Sequence, residues 1–79
     1  MSESVAVAFG IVLRRLRREA LMSQEALGTA ADLQRKSISW FELGQKQPTI
    51  TTMFRLARAL QIQPSQLIKL VEVELELLR

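Results

Sequence analysis

Apolar side chains recur at intervals of three and four residues along most of the chain, and this spacing predicts helices throughout. In the first stretch, four arginines of residues 14–18 occupy the face opposite the apolar positions. Ser23 is a good N-cap for a second helix, 24–31. After a turn at residues 32–33, a third helix spans roughly 34–43 and stops at Gly44, a residue suited to a left-handed helix end. The apolar positions of the first helix are Phe9, Val12, Leu13, Leu16 and Ala20.

Two further helices complete the predicted fold. Thr49 caps a fourth helix with Leu56 and Ala57 on its inner face, and Pro64 fits the first position of a fifth. Residues 71–77 alternate between apolar and charged, as in a strand. On a helical wheel, however, the polar residues of the tail gather into one narrow stripe, which favours a helix. The stripe consists of Ser65, Lys69, Glu72, Glu76 and Arg79.

The fifth helix is apolar over more of its surface than one small core can cover. A helix of this kind must be buried, and a second copy of the chain is the simplest partner, so we predict a homodimer. Glu74 lies inside the apolar arc, and we expect it at the rim of the interface or paired with a basic group of the partner. The predicted dimer interface consists of Leu67, Leu70, Val71, Glu74, Leu75 and Leu78.

Length and composition restrict the chain to a few classes. Seventy-nine residues make one domain, 1–79, which we predict to be all-α with 64–79 as a C-terminal dimerisation helix. The chain has no cysteine and no histidine, so it has no disulfide, no thiolate or imidazole zinc site and no ordinary general base near neutral pH. We therefore expect no enzyme, no metal and no cofactor.

The basic residues are concentrated in the first three quarters of the chain. Residues 1–61 carry nine basic and five acidic residues, a net charge of +4, whereas residues 62–79 carry −1. This asymmetry suits a unit that binds a polyanion and is joined to an association element, although a solvated arginine face would look the same. The apolar run 5–13 precedes its positive charges, the reverse of a signal peptide, and no apolar run is long enough to span a membrane. We expect a cytoplasmic protein without a membrane partner.

A short helix, a tight turn and a second short helix make a helix-turn-helix unit, whose second helix fits the major groove of DNA. At this point the chain resembles the lambda-repressor-like (XRE-type) helix-turn-helix domain over about residues 9–68. In its length and its apolar fifth helix, the chain looks most like the controller proteins of restriction–modification systems. The resemblance implies a homodimeric transcriptional regulator on a two-fold-related operator of double-stranded DNA, with RNA polymerase as a further candidate partner. The matching residues are Phe9-Gly10, Leu13-Arg14, Leu16-Arg17, Ser23-Gln24-Glu25-Ala26-Leu27, Ile38-Ser39, Glu42, Gly44, Pro48, Leu56-Ala57 and Ala59-Leu60.

The resemblance also assigns candidate contacts to DNA bases. Arg35 is the strongest candidate, because a guanidinium can bond to O6 and N7 of guanine together. Lys36 could contact a base or a phosphate. Ser39 could equally be a plain surface residue, and Trp40 could contact DNA or pack against the protein. Phe41 takes an aliphatic core position of the family and should be buried. The predicted base contacts are Gln34, Arg35, Lys36, Ser39 and Trp40.

Candidate phosphate contacts flank the recognition helix. Gln24 matches the family's glutamine that clamps a phosphate at a helix N-terminus, and the loop after the third helix typically touches the DNA backbone. Arg17 and Glu42 match a family ion pair, which leaves Arg14, Arg15 and Arg18 for solvent or phosphates. The predicted phosphate contacts are Ser23, Gln24, Ser37, Gln45, Lys46, Gln47 and Thr49.

Two positions depart from the family pattern. The chain has Leu21 and Asp32 where the family often has glycine. Aspartate tolerates a left-handed backbone, so we expect the turn at Asp32 to survive, whereas leucine at the end of the first helix has no such explanation. A second class of function also fits the sequence, namely an antitoxin or adaptor that binds another protein through the apolar tail.

Overall fold

The computed structural model describes residues 2–79, with side chains described from Val5 onward. Its five helices are α1 (Ser2–Glu19), α2 (Gln24–Ala31), α3 (Arg35–Glu42), α4 (Ile50–Ala59) and α5 (Pro64–Leu77), and no residue in the described range lies in a strand. The predicted all-α class is confirmed. The tail is helical, and all five members of its polar stripe are exposed. None of the five helices is both long enough and apolar enough to cross a membrane.

Local signals in the sequence fix where the helices begin. The hydroxyl oxygen of Ser23 accepts a hydrogen bond from the backbone N–H of Ala26 at 2.9 Å, and Thr49 accepts from Thr52 N–H at 3.1 Å. Both residues are N-caps that satisfy a backbone donor with no partner inside the helix. Pro64 occupies the start of α5. Gln34 is the N-cap of α3 and makes no capping bond through its side chain, so the helix proper begins at Arg35.

One core is shared by all five helices. α1 packs against α3 and α5, while α2 packs against α3 and α4. Phe41 is buried as predicted, and its ring meets that of Phe9 edge to face with centroids 6.1 Å apart. The core contains Ala8, Phe9, Val12, Leu13, Leu27, Ala31, Ile38, Phe41, Leu56, Ala57, Leu67 and Val71.

α1 and α3 approach each other closely at Gly10. A Cβ atom at this position would lie 2.4 Å from the carbonyl oxygen of Phe41 and 2.7 Å from that of Glu42. Both are backbone atoms and cannot move aside easily, so only glycine fits. Gly10 therefore sets the distance between the first helix and the recognition helix.

Four helix ends adopt left-handed backbone. Gly44 has φ of +72°, as its predicted role requires, and Asp32 has φ of 59°. Leu21 also has φ of 59° and Gln61 has φ of 60°, although neither residue type favours this region. At the end of α1, Leu21 therefore takes the conformation that glycine would adopt without strain, and its side chain projects into solvent, 93% exposed.

The inward face of α5 differs from the predicted dimer interface. Leu67 is fully buried, and Val71 and Glu74 are each only 9% exposed, because this side of α5 packs against α1. These three residues have little or no surface left for a second copy. Leu70 and Leu75 are half-buried, whereas Leu78 is exposed.

Glu74 has its basic partner within its own chain and not on a second copy. Glu74 pairs with Arg15 of its own chain, with Arg15 Nη1 3.1 Å from Glu74 Oε1. The carboxylate thus has a basic partner, as its burial demands, but the partner comes from α1. Arg15 is therefore paired with Glu74, although its side chain remains 44% exposed.

Candidate nucleic-acid interface

The recognition helix α3 is amphipathic in the manner that a major-groove reader requires. Ile38 and Phe41 face the core, while Arg35 and Lys36 are exposed at the start of the helix. Ser39 is half-buried. The outer face of α3 is therefore open, and its first turn carries two positive charges and no acidic residue.

A tight turn holds α3 at a fixed angle to α2. Asp32 is the left-handed C-cap of α2, and the backbone N–H of Leu33 donates to the carbonyl of Gly28 at 2.7 Å. A Cβ on Gly28 would lie 2.8 Å from the Leu33 carbonyl oxygen, so the two helices meet where no side chain fits. The helix-turn-helix unit is thus held together by backbone contacts.

A buried network ties α1, α2 and α3 together. Arg17 donates from Nε to Glu42 Oε2 at 2.6 Å and from Nη2 to Glu42 Oε1 at 3.0 Å, a bidentate pair. Arg17 Nη1 also donates to the carbonyl of Met22 at 2.9 Å. The predicted pair is present, and its side chains are only 12% and 4% exposed.

The charge of Arg17 is stabilised by this arrangement. Its hydrogen bond to Glu42 raises the pKa of the guanidinium, desolvation lowers it, and the Glu42 charge raises it again. The net effect is a pKa above the ordinary value. Arg17 therefore remains positively charged at every pH at which the protein is expected to fold.

Gln24 belongs to the same network. Its Nε2 donates to Glu42 Oε1 at 3.0 Å, so the side chain is partly committed to the protein. An amide nitrogen carries two N–H groups, and one donor is left for a phosphate. The N-terminus of α2, where Gln24 lies, also presents backbone N–H groups.

Trp40 lies on the exposed face of α3 and is 38% exposed. The Lys36 ammonium nitrogen lies 5.6 Å from the centre of its ring, and that of Lys46 lies 5.1 Å away. Both distances are within the range of cation–π attraction. The contact between Lys36 and Trp40 could have been predicted from the sequence, because the two residues lie one helical turn apart. Nothing local in the sequence indicates the contact between Lys46 and Trp40.

The remaining predicted phosphate contacts lie around α3. Gln45, Lys46 and Gln47 are exposed in the loop between α3 and α4, and Ser37 is half-buried. Ser23 and Thr49 cap α2 and α4, and the Thr49 hydroxyl also donates to Thr52 Oγ1 at 3.0 Å. Arg14 and Arg18 line a cleft beside α1, whose lining also includes Glu42 at the end of α3. Within the described part of the chain, no group of three acidic side chains is close enough to hold a metal ion.

The comparisons with known proteins agree with this geometry. The sequence model of a family described as "Helix-turn-helix domain" matches residues 8–70. The control protein C.BamHI of Bacillus amyloliquefaciens is 32% identical over 69 residues, which cover 86% of this chain and 85% of that protein.

Solved structures show the same fold. The restriction–modification controller protein C.AhdI from Aeromonas hydrophila is 37% identical, with a TM-score of 0.76 over 78% of this chain and 94% of that one. The controller protein C.Esp1396I, crystallised as a tetramer with its natural 35 base-pair operator, matches with a TM-score of 0.81 over 90% of this chain and 93% of that one, at 22% identity. The chain belongs to the helix-turn-helix family of DNA-binding transcriptional regulators, and its relatives there include the restriction–modification controller proteins.

Proposed function

We propose that the chain binds a pseudo-palindromic DNA operator as a homodimer and regulates transcription within a restriction–modification system. The observation that carries the proposal is the open, positively charged face of α3, which the Arg17–Glu42–Gln24 network ties to α1 and α2. The names of the relatives, a control protein and a controller protein, support the biological setting. A regulator of this kind acts where the genome is, in the cytoplasm.

The residues around α3 have two kinds of role in this proposal. Side chains at the start and along the outer face of α3 reach base edges, with Arg35 as the main reader of guanine. The caps and the loop after α3 fix the protein on the backbone and read no sequence. The proposed base contacts are Gln34, Arg35, Lys36, Ser39 and Trp40, and the proposed phosphate contacts are Ser23, Gln24, Ser37, Gln45, Lys46, Gln47 and Thr49.

Selection from a pool of randomised duplexes, repeated at two salt concentrations, tests the proposal. We expect enrichment of a sequence with two-fold symmetry and half-sites about 34 Å apart, one turn of DNA. If no sequence is enriched over the starting pool, the chain is not a sequence-specific regulator. Transcription in vitro from the selected site then distinguishes direct action on RNA polymerase from simple occlusion of its binding site.

Two variants separate base reading from backbone contact. Arg35→Ala should weaken binding by about 1–3 kcal/mol and relax the preference at one base pair. Lys46→Ala should weaken binding to all sequences alike and reduce the slope of log K against log salt by about one unit. Equal losses on cognate and random DNA for Arg35→Ala would contradict its role.

We propose that the second copy docks beside α5, at a groove of about 340 Å³ formed by α1, α4 and α5. Val5, Phe9, Met53, Ile68 and Leu75 are among its lining residues, and Val5 and Ile68 are exposed. A two-fold axis along this groove would let each copy cover the apolar lining of the other. The groove thus includes Ile68, a residue of α5 that lies outside the core.

Light scattering measures the dimer directly, with an expected mass of about 18 kDa, twice the chain's 9.0 kDa. Ile68→Glu should dissociate the dimer, because a carboxylate would then lie in the apolar groove. Val73→Glu is the matched control: Val73 is 47% exposed against 45% for Ile68, but it does not line the groove. A wild-type monomer that aggregates without a partner would favour the antitoxin or adaptor function instead.

A further inference from the structure

Two lysine ammonium groups from different parts of the chain lie against the ring of Trp40. It is the chain's one tryptophan, and it lies in the last turn of α3 with its side chain partly exposed. Lys36 reaches it from the preceding turn of the same helix, while Lys46 reaches it from the loop beyond the helix end. The ring of Trp40 therefore lies between a lysine of α3 itself and a lysine of the loop that follows α3.

The end of α3 explains how Lys46 returns to the ring. Gly44 adopts left-handed backbone, and its N–H donates to the Phe41 carbonyl at 3.1 Å. The N–H of Gln45 donates to the carbonyl of Trp40 itself at 2.9 Å. These two bonds form a Schellman turn, which reverses the chain over the last turn of the helix. Lys46 follows directly and is brought above the indole.

The two ammonium groups that lie against the Trp40 ring carry like charges, so the arrangement favours an anion nearby. The negative face of the indole attracts each ammonium, and this attraction orders two side chains that are otherwise free to rotate. The ammonium groups repel each other, and water and salt weaken but do not abolish this repulsion. A phosphate oxygen, the abundant anion of a duplex, would relieve it. Lys36 and Lys46 are thus already ordered for contact with the DNA backbone in the free protein.

We propose that Trp40 is a positioning residue, which holds Lys36 and Lys46 ready for DNA phosphates and does not itself read a base. This role rests on the proposed DNA-binding function, and it replaces the base contacts proposed above for Trp40 and Lys36. A phenylalanine ring attracts cations more weakly than an indole, and leucine has no aromatic ring. Trp40→Phe and Trp40→Leu therefore weaken the cation–π attraction in two steps.

The first test uses the protein without DNA. In the wild type, the aromatic ring current should shift the NMR signals of the ε-methylene protons of Lys36 and Lys46 away from those of other lysines. Trp40→Phe should keep part of the shift, and Trp40→Leu should abolish it. Ordinary lysine shifts in the wild-type protein would overturn the proposal, even if every Trp40 variant failed to fold.

The second test measures affinity for cognate and random duplexes over a range of salt. Trp40→Leu should lower both affinities about fivefold, because two free lysine side chains must then be ordered on binding. Its salt slope should be unchanged, since both lysines still meet phosphates, whereas Lys46→Met should reduce the slope by about one unit. Trp40→Phe should bind within about twofold of the wild type.

The outcomes separate this role from the proposed function. Loss of affinity for the cognate duplex alone would make Trp40 a base reader and overturn the positioning role. Undiminished binding by Trp40→Leu would overturn the positioning role and leave the regulator intact. If the wild-type protein bound neither duplex, the proposed function would fail and this role with it, whatever the NMR spectrum showed.

Discussion

Removing Arg17 should destabilise the fold more than an ordinary surface arginine does. Arg17→Met keeps most of the aliphatic stem but deletes three hydrogen bonds, two to Glu42 and one to the Met22 carbonyl. The side chain of Glu42 is only 4% exposed, and of its three side-chain hydrogen bonds it then keeps the one from Gln24 Nε2. Breaking one side of a buried ion pair costs about 3–5 kcal/mol. Because Gln24 still donates and water can enter the vacated space, we expect the lower end, about 3 kcal/mol.

A loss of this size is measurable in a domain of 79 residues. Such a domain has a total stability of about 4–12 kcal/mol, and each kcal/mol shifts the melting temperature by about 4–8 °C. The melting temperature of Arg17→Met should therefore fall by at least about 12 °C, as followed by the helical circular dichroism signal. Protein concentration must be held fixed, since dimerisation adds to the apparent stability.

Arg18→Met is the matched control, because Arg18 is the next residue on α1 and is exposed. It should change stability by less than about 0.5 kcal/mol. The double variant Arg17→Met with Glu42→Leu removes both charges, and we expect it to recover most of the loss, because apolar side chains can replace a buried ion pair. A cost below about 1 kcal/mol for Arg17→Met, as for an exposed pair, would refute the reasoning. So would a double variant whose loss equals the sum of the two single losses.

Three further changes test other parts of the fold. Leu21→Gly should raise stability by about 0.5–1 kcal/mol in thermal unfolding, because it relieves left-handed strain at an exposed position, and Leu21→Ala should give no such gain. Gly10→Ala should lower the free energy of unfolding by more than about 2 kcal/mol, because the new Cβ would overlap backbone carbonyls of α3. If a urea titration showed no change in stability, α1 and α3 would be able to separate without cost. Glu74→Ala should cost under about 1 kcal/mol, because its partner Arg15 is half exposed and can turn to water, and a loss above about 3 kcal/mol would mean that Arg15 is trapped.

The exposed positions of α3 could be predicted from sequence because they depend on local order, whereas their assignment to DNA came from the family resemblance. The third helix had to bury Ile38 and Phe41, and this leaves Arg35, Lys36 and Trp40 on the other side. The Arg17–Glu42 pair came from the family resemblance and could not be derived from spacing, since 25 residues separate its members. Its burial depends on how three helices meet, which no local pattern encodes.

The amino-acid order alone determined where α2, α4 and α5 start and where α3 stops. Serine and threonine caps, a proline at a first helical position and a glycine at a helix end act within four or five residues, so their effects are decided before any packing occurs. The helical period also separated the polar stripe of α5 from its apolar arc.

Which part of that arc turns inward was decided only by the tertiary structure. The arc is broad, so several rotations of α5 would bury a similar apolar area, and contact with α1 selected the one that hides Leu67 and Val71. The same contact supplied Arg15 to Glu74 across 59 residues. Periodicity describes one helix at a time, whereas the choice among its faces and the pairing of its charges depend on the surface of the neighbouring helix.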